Sequence, residues 1–196
     1  DGSGTGWREH MIDGDFDSAR SVYVADVDGD GDMDVLGAAS VADDVTWWEN
    51  TDGAGTAWTG HMIDDAFDGA YCVRAADVDG DGDMDVLGAA YAADDIAWWE
   101  NTDGAGTGWS EHTIDGAFDG AWSVHAADVD GDGDTDVLGA ANVAGDIAWW
   151  ENTDGAGTTW IKHEVDDFFD GAWSVHAADV DGDGDMDLLG AAADAD

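Results

Sequence analysis

Residues 103–153 read "DGAGTGWSEHTIDGAFDGAWSVHAADVDGDGDTDVLGAANVAGDIAWWENT", and the same pattern begins again at Asp154. Within this unit "WSEHTID", "AWSVHAAD", "DVLGAA" and "DIAWWENT" are of strand length, rich in Val, Ile, Trp and Ala, and separated by Gly and Asp turn clusters. No stretch sustains an apolar period of 3.6, so each unit is expected to hold four strands and no helix. Trp47, Trp98 and Trp149 recur every 51 residues, as do Asp26, Asp77, Asp128 and Asp179, which begin four copies of "DVDGDGD". The chain is a tandem array.

Neighbouring residues of a strand point to opposite faces, so Trp98 and Trp99 cannot share one core, and both faces of their sheet must be covered. "DVLGAA" and "SVHAA" agree, because runs of apolar and small residues without inside-outside alternation suit a sheet packed on both sides. Repeated four-stranded sheets stacked face to face describe the blades of a propeller. The Gly-Ala-Ala triplets at 37–39, 88–90, 139–141 and 190–192 let neighbours approach closely. A parallel β-helix has shorter rungs and lacks hairpin turns such as "NTDGAGT". A transmembrane barrel needs an alternating lipid-facing band that does not recur. The fold class is therefore all-β, a β-propeller-type array of antiparallel four-stranded blades. Its expected divisions are 1–13 (outer strand of a preceding or closing blade), 14–64, 65–115 and 116–166 (blades 1 to 3) and 167–196 (partial blade 4). The chain stops eight residues short of four whole units, where "DIAWWENT" would stand, so the last blade is expected to present an unpaired edge. That edge would be completed from the N-terminus or from another chain.

The net charge is -44, from 48 acidic residues against Arg8, Arg20, Arg74 and Lys162, and self-repulsion on that scale opposes compaction. A hydrophobic content of 44% nevertheless requires a folded chain. Nucleic acid and anionic membrane surfaces need basic patches, which are lacking, and no apolar run reaches the roughly 20 residues of a membrane span. Cations are the natural counterpart. Only twenty of the acids fall in the four "DVDGDGD" loops, so the remainder point to a saline environment, where a Debye length of about 3 Å at 1 M tolerates such charge. Cys72 is the only cysteine, so no intrachain disulfide forms; its register partners Ser21, Ser123 and Ser174 mark a position for a small side chain.

Each loop carries aspartates at positions one, three, five, seven and nine, a density that demands a cation among them. Alternate carboxylates around a glycine suit Ca²⁺, which takes six to eight oxygens, better than Mg²⁺. Transition metals would want His or Cys, and the loops have neither. A helix-loop-helix site is excluded because its position twelve, Gly37 counted from Asp26, is not Glu, and strands flank the loop.

The pattern D-x-D-x-D-G-x-x-D before an apolar strand, with "WWEN" and the recurring "W-x-x-H-x-I-D", resembles the FG-GAP or VCBS repeat family, which includes the integrin α-subunit propeller, over nearly the whole chain. The resemblance implies about four Ca²⁺ ions, one per loop. Asp26, Asp28, Asp30 and Asp34 would bind through side chains and Asp32 through its main-chain carbonyl, with Gly31 taking the turn. The same roles fall on Asp77, Asp79, Asp81, Asp85 and Asp83; on Asp128, Asp130, Asp132, Asp136 and Asp134; and on Asp179, Asp181, Asp183, Asp187 and Asp185.

His10, His61, His112 and His163 recur with the period and read as structural hydrogen-bonding positions. His125 and His176 align with Tyr23 and Arg74 on the strand nearest the expected axis, and Trp122 and Trp173 align with Arg20 and Tyr71. No nucleophile with an adjacent base stands out, so no catalytic residue is assigned. The expected function is a non-enzymatic, calcium-stabilised extracellular or cell-surface module with a structural or adhesive role in a tandem or filament-like assembly. Its partners would be adjacent repeats or copies of itself, because near-identical units suit scaffolding. A glycan-binding lectin, with aromatics stacking on sugar rings, and an accessory domain of a secreted enzyme are the alternatives.

Overall fold

The computed structural model describes residues 5–193, which form fourteen β-strands and no helix. The first sheet runs β1 (Ala19–Ala25), β2 (Asp34–Ala39), β3 (Asp44–Asn50), β4 (Trp58–Asp64) in that order, each strand antiparallel to the last. The second repeats it with β5 (Ala70–Ala76), β6 (Asp85–Ala90), β7 (Asp95–Asn101) and β8 (Trp109–Asp115). The third is β9 (Ala121–Ala127), β10 (Asp136–Ala141), β11 (Asp146–Asn152) and β12 (Trp160–Asp166). A pair, β13 (Ala172–Ala178) and β14 (Asp187–Ala192), ends the series. The four are separate hydrogen-bonded sheets, none closed on itself. They stack in chain order, with β1, β5, β9 and β13 packed in succession along one side.

The cores lie between sheets. Val27, Leu36, Val45 and Trp47 of the first sheet meet Phe67, Val73, Val86 and Trp99 of the second. Val78, Leu87, Ile96 and Trp98 of the second meet Phe118, Val124, Val137 and Trp150 of the third. Trp98 and Trp99 thus enter different cores, one through each face of β7. The "DVLGAA" strand follows the same alternation: Val86 and Ala90 belong to the first core, Leu87 and Ala89 to the second. Both β6 and β10 are buried at every residue, which is why their sequences show no polar alternation. At Gly88 a Cβ would stand 2.7 Å from the Trp99 ring and 2.8 Å from Phe67, so only glycine lets this edge-to-face aromatic pair seat on the strand.

Residues 5–13, expected as part of an outer strand, form no strand; residues 1–4 of that expectation lie outside the described residues. The physical reason is pairing: among the described residues no third strand stands beside 5–13 to share a ladder. Its side chains still occupy the preceding sheet's place, since the indole N–H of Trp48 donates to Asp13 at 3.3 Å as that of Trp99 donates to Asp64 at 3.1 Å. At the other end of the stack, β14 has β13 on one side and no partner strand among the described residues on the other.

Antiparallel order puts the β1–β2 loop and the β3–β4 turn, with their equivalents, at the same end of every sheet. That end carries the aspartate loops. At the opposite end a register shift between Ala70 and Cys72, repeated in the other first strands, sets Tyr71 out of the ladder, as it does Arg20, Trp122 and Trp173.

Candidate metal centre

Each aspartate loop connects the first two strands of its sheet, and its fold follows from its own sequence. Gly31 at position six has φ +95°, a backbone region that a side chain disfavours, and Gly82, Gly133 and Gly184 repeat it at +99° to +101°. That turn aims the Gly31 N–H at the position-one carboxylate of Asp26, 3.0 Å away. The bond recurs from Gly82 to Asp77, Gly133 to Asp128 and Gly184 to Asp179, each at 3.1 Å. The position-three carboxylate of Asp28 accepts the N–H of Asp30 at 3.1 Å, and that of Asp30 accepts the N–H of Asp32 at 2.8 Å. The side chain of Asp32 lies against Gly53 of the neighbouring turn, away from the loop centre, as Asp83 lies against Gly104 and Asp134 against Gly155.

Position nine opens the second strand and is the anchor. Asp34 accepts the N–H of Val27 at 2.9 Å and of Asn50 at 2.8 Å; Asp85 accepts from Val78 and Asn101, both at 2.9 Å. Asp136 does the same with Val129 at 2.8 Å and Asn152 at 2.9 Å. In consequence the carboxylates of positions one, three and nine converge, with oxygens within 4.8 Å of one another, as Asp26, Asp28 and Asp34; Asp77, Asp79 and Asp85; Asp128, Asp130 and Asp136; and Asp179, Asp181 and Asp187. The position-five residues Asp30, Asp81, Asp132 and Asp183 stand outside these triads. Their carboxylates hold the N–H of position seven, Asp32, Asp83, Asp134 and Asp185.

The electrostatics fit a cation. Burial pushes the carboxyl of Asp85 up to about 7, against the two backbone bonds that favour its charge, and neighbouring Asp79 and Asp81 push the same way. Burial likewise raises Asp34 and Asp136, and raises Asp28 and Asp79 with the help of their aspartate neighbours. In the first loop one oxygen of Asp26 is buried with no hydrogen-bond partner. An orphaned carboxylate oxygen inside an all-oxygen triad fits a hard cation.

A profile of the FG-GAP-like repeat matches residues 26–88, 85–139 and 129–190. The chain belongs to this family. No curated protein matches it. The three matched stretches each start in or beside an aspartate loop, and together they contain all four carboxylate triads.

The FG-GAP-like units also bring together residues that sequence reasoning did not single out for the site. The asparagine of "WWEN" ends the third strand beside the loop: Asn101 donates to the carbonyl of Met84 at 3.3 Å and accepts from the N–H of Gly106 at 3.0 Å. Its recurrence at the strand end was the available signal. The recurrent histidines lie on the fourth strand, where His61, His112 and His163 stack on Trp47, Trp98 and Trp149 at 4.4–4.6 Å. Their Nε2 atoms lie 2.8–3.0 Å from Glu49, Glu100 and Glu151. His125 and His176 meet at 4.1 Å on β9 and β13. At the far end Arg20 lies over Tyr71 at 4.7 Å, Tyr71 meets Trp122 at 4.4 Å, and Trp122 stacks on Trp173 at 5.3 Å. Trp122 and Trp173 are face to face, whereas Tyr71 is tilted by 54° against Trp122.

Proposed function

We propose that this chain is a non-enzymatic, calcium-stabilised β-propeller repeat module of an extracellular or cell-surface assembly, with a structural or adhesive role in a saline setting. The observation that carries the reading is the carboxylate triad repeated at the same place in four successive units. Three oxygen ligands from a short loop, closed by backbone bonds, suit a hard cation of adjustable coordination, and Ca²⁺ fits that description better than Mg²⁺. Bound calcium supplies neutralising charge and ligand bonds that hold the loop shut; the chain's own part is to converge Asp26, Asp28 and Asp34 and their equivalents.

Stacking of whole sheets with their first strands packed in succession is the arrangement that blades take around an axis, which favours propeller geometry. FG-GAP-like repeats are typical of extracellular proteins, and no helix among the described residues is long and apolar enough to cross a membrane. Scaffolding is favoured over sugar binding because near-identical units suit it, and the aromatic rings at the far end contact one another, Tyr71 tilted against Trp122 and Trp122 stacked on Trp173. The outward faces of the stack carry exposed Val22 and Val24 at one end and Phe168 and Leu189 at the other, surfaces suited to adjacent repeats or further copies.

With free calcium ten- to a hundredfold above the dissociation constant, each site adds roughly 1.4 to 2.7 kcal/mol, so four independent sites add about 6 to 11 kcal/mol. That rivals the whole stability of a typical domain, about 5 to 15 kcal/mol. Chelation with EDTA is therefore expected to lower Tm steeply or unfold the chain, with recovery on adding Ca²⁺. An unchanged Tm in calorimetry would overturn the reading.

A further inference from the structure

We propose that the first and second metal loops are each completed by the sheet that follows, so that cation binding in one sheet and docking of the next are coupled through Asn101 and Asn152 as positioning residues. The inference rests on the metal-binding reading above and adds a dependence between sites that the loops alone do not require.

Position two of each loop lies between the candidate ligands of positions one and three. In the first loop it is Val27, whose N–H is held by Asp34 of its own sheet at 2.9 Å. Its carbonyl accepts from the side-chain amide of Asn101, 74 positions further along and in the second sheet, at 3.0 Å. Its side chain is buried in the core between the two sheets. The second loop repeats the arrangement: the Val78 N–H goes to Asp85 at 2.9 Å, its carbonyl accepts from Asn152 of the third sheet at 2.9 Å, and its side chain fills the next core.

The same asparagines hold their own sheets. Asn152 donates to the carbonyl of Thr135 at 3.2 Å and accepts from the N–H of Gly157 at 3.1 Å, as Asn101 does with Met84 and Gly106. Both are fully buried. One amide group therefore joins the loop of its own sheet to the loop of the sheet before. With the N–H and the carbonyl of Val27 both held, the two peptide groups that flank it are fixed, and the carboxylates on either side are kept at the spacing a cation needs. Whatever strengthens sheet docking then strengthens cation binding, and the converse follows by linkage. The fourth loop supplies the contrast, because Val180 is 64% exposed and Asp179, Asp181 and Asp187 are all exposed, whereas Asp34 and Asp85 are buried.

The position-six glycines report each loop separately, since Gly31, Gly82, Gly133 and Gly184 each donate to a position-one carboxylate. A calcium chloride titration of the whole chain at fixed ionic strength, followed by ¹H–¹⁵N NMR, is expected to move Gly31 and Gly82 at lower calcium than Gly184. Asn101→Ala is expected to raise the calcium needed at Gly31, across the interface, by about two- to tenfold, the range of one lost hydrogen bond. Asn50→Ala, which removes an amide bonded to Met33 and Gly55 of its own sheet, is expected to leave Gly82 unmoved. A Gly31 that titrates identically in Asn101→Ala and the parent overturns the coupling while the metal reading stands. Should Asn101→Ala fail to fold, the order in the parent decides, and Gly184 responding with or before Gly31 overturns the coupling. If no loop glycine of the parent responds to calcium, the metal reading falls and the coupling with it.

Discussion

His125 lies on β9 against His176, with the Arg74 guanidinium near enough to act on it, and burial, then the His176 ring and the Arg74 guanidinium, hold its imidazole down at about 4. The folded chain therefore refuses a proton that the unfolded chain, with a pKa near 6.5, accepts. Stability from this group is complete above about 6.5 and is lost as pH falls towards about 4. In saturating calcium, Tm is expected to fall across that window, and less in His125→Gln; equal slopes in thermal melts of the two proteins would refute the assignment. The loop carboxylates act in the opposite sense, since burial raises Asp85 to about 7 and the protonated form is favoured in the fold without a cation. The measured contrast must therefore be that between variant and parent. At this scale the sequence separated His125 from the recurring His112 by register but not by environment: the ring of His176 against His125 is a contact between sheets.

Strands β6 and β14 show what an element owes to its neighbours. Their sequences, "DVLGAA" and "DLLGAA", differ at one position, yet β6 is buried at every residue and β14 is largely exposed. β6 is paired on both sides and covered on both faces, whereas among the described residues β14 pairs with β13 alone. Amide hydrogen exchange is expected to be faster over 188–191 than over 86–89 by at least about tenfold, the factor that about 1.4 kcal/mol of opening free energy represents. Equal protection of the two strands, measured by NMR or mass spectrometry, would show that something covers the β14 edge in solution. The strands, their order and their turns were legible because alternating side-chain direction and Gly-Asp turn chemistry are local. The stretch 5–13 was not, because a strand exists only where another strand accepts its hydrogen bonds.

For the whole molecule the dominant long-range term is charge. A net charge of -44 on a stack of sheets opposes compaction wherever it is not neutralised, and few cationic side chains help: Lys162 bridges to Asp115 of the preceding sheet at 3.4 Å while lying over the Phe118 ring at 4.8 Å. Screening should therefore stabilise the fold. Raising NaCl from about 0.1 to about 1 M, which shortens the Debye length from about 10 to about 3 Å, is expected to raise Tm at constant calcium. A gain of about 1 kcal/mol corresponds to about 2 to 4 °C for a chain of this size. A Tm that falls with salt would count against the saline reading.

The sequence by itself determined the period, the number of strands in each unit, the loop that bears the carboxylates and the tryptophan for each face, because each follows from residue spacing within a few positions. The triads of positions one, three and nine, the sealing of Val27 by Asn101, and the difference between four loops of nearly identical sequence were decided only by the tertiary structure. The bond between Val27 and Asn101 joins residues 74 positions apart across stacked sheets, and the triads converge only when backbone bonds fold the loop. The same loop buries its second and ninth residues where another full sheet lies on it, and exposes them in the last unit, which has no following sheet among the described residues.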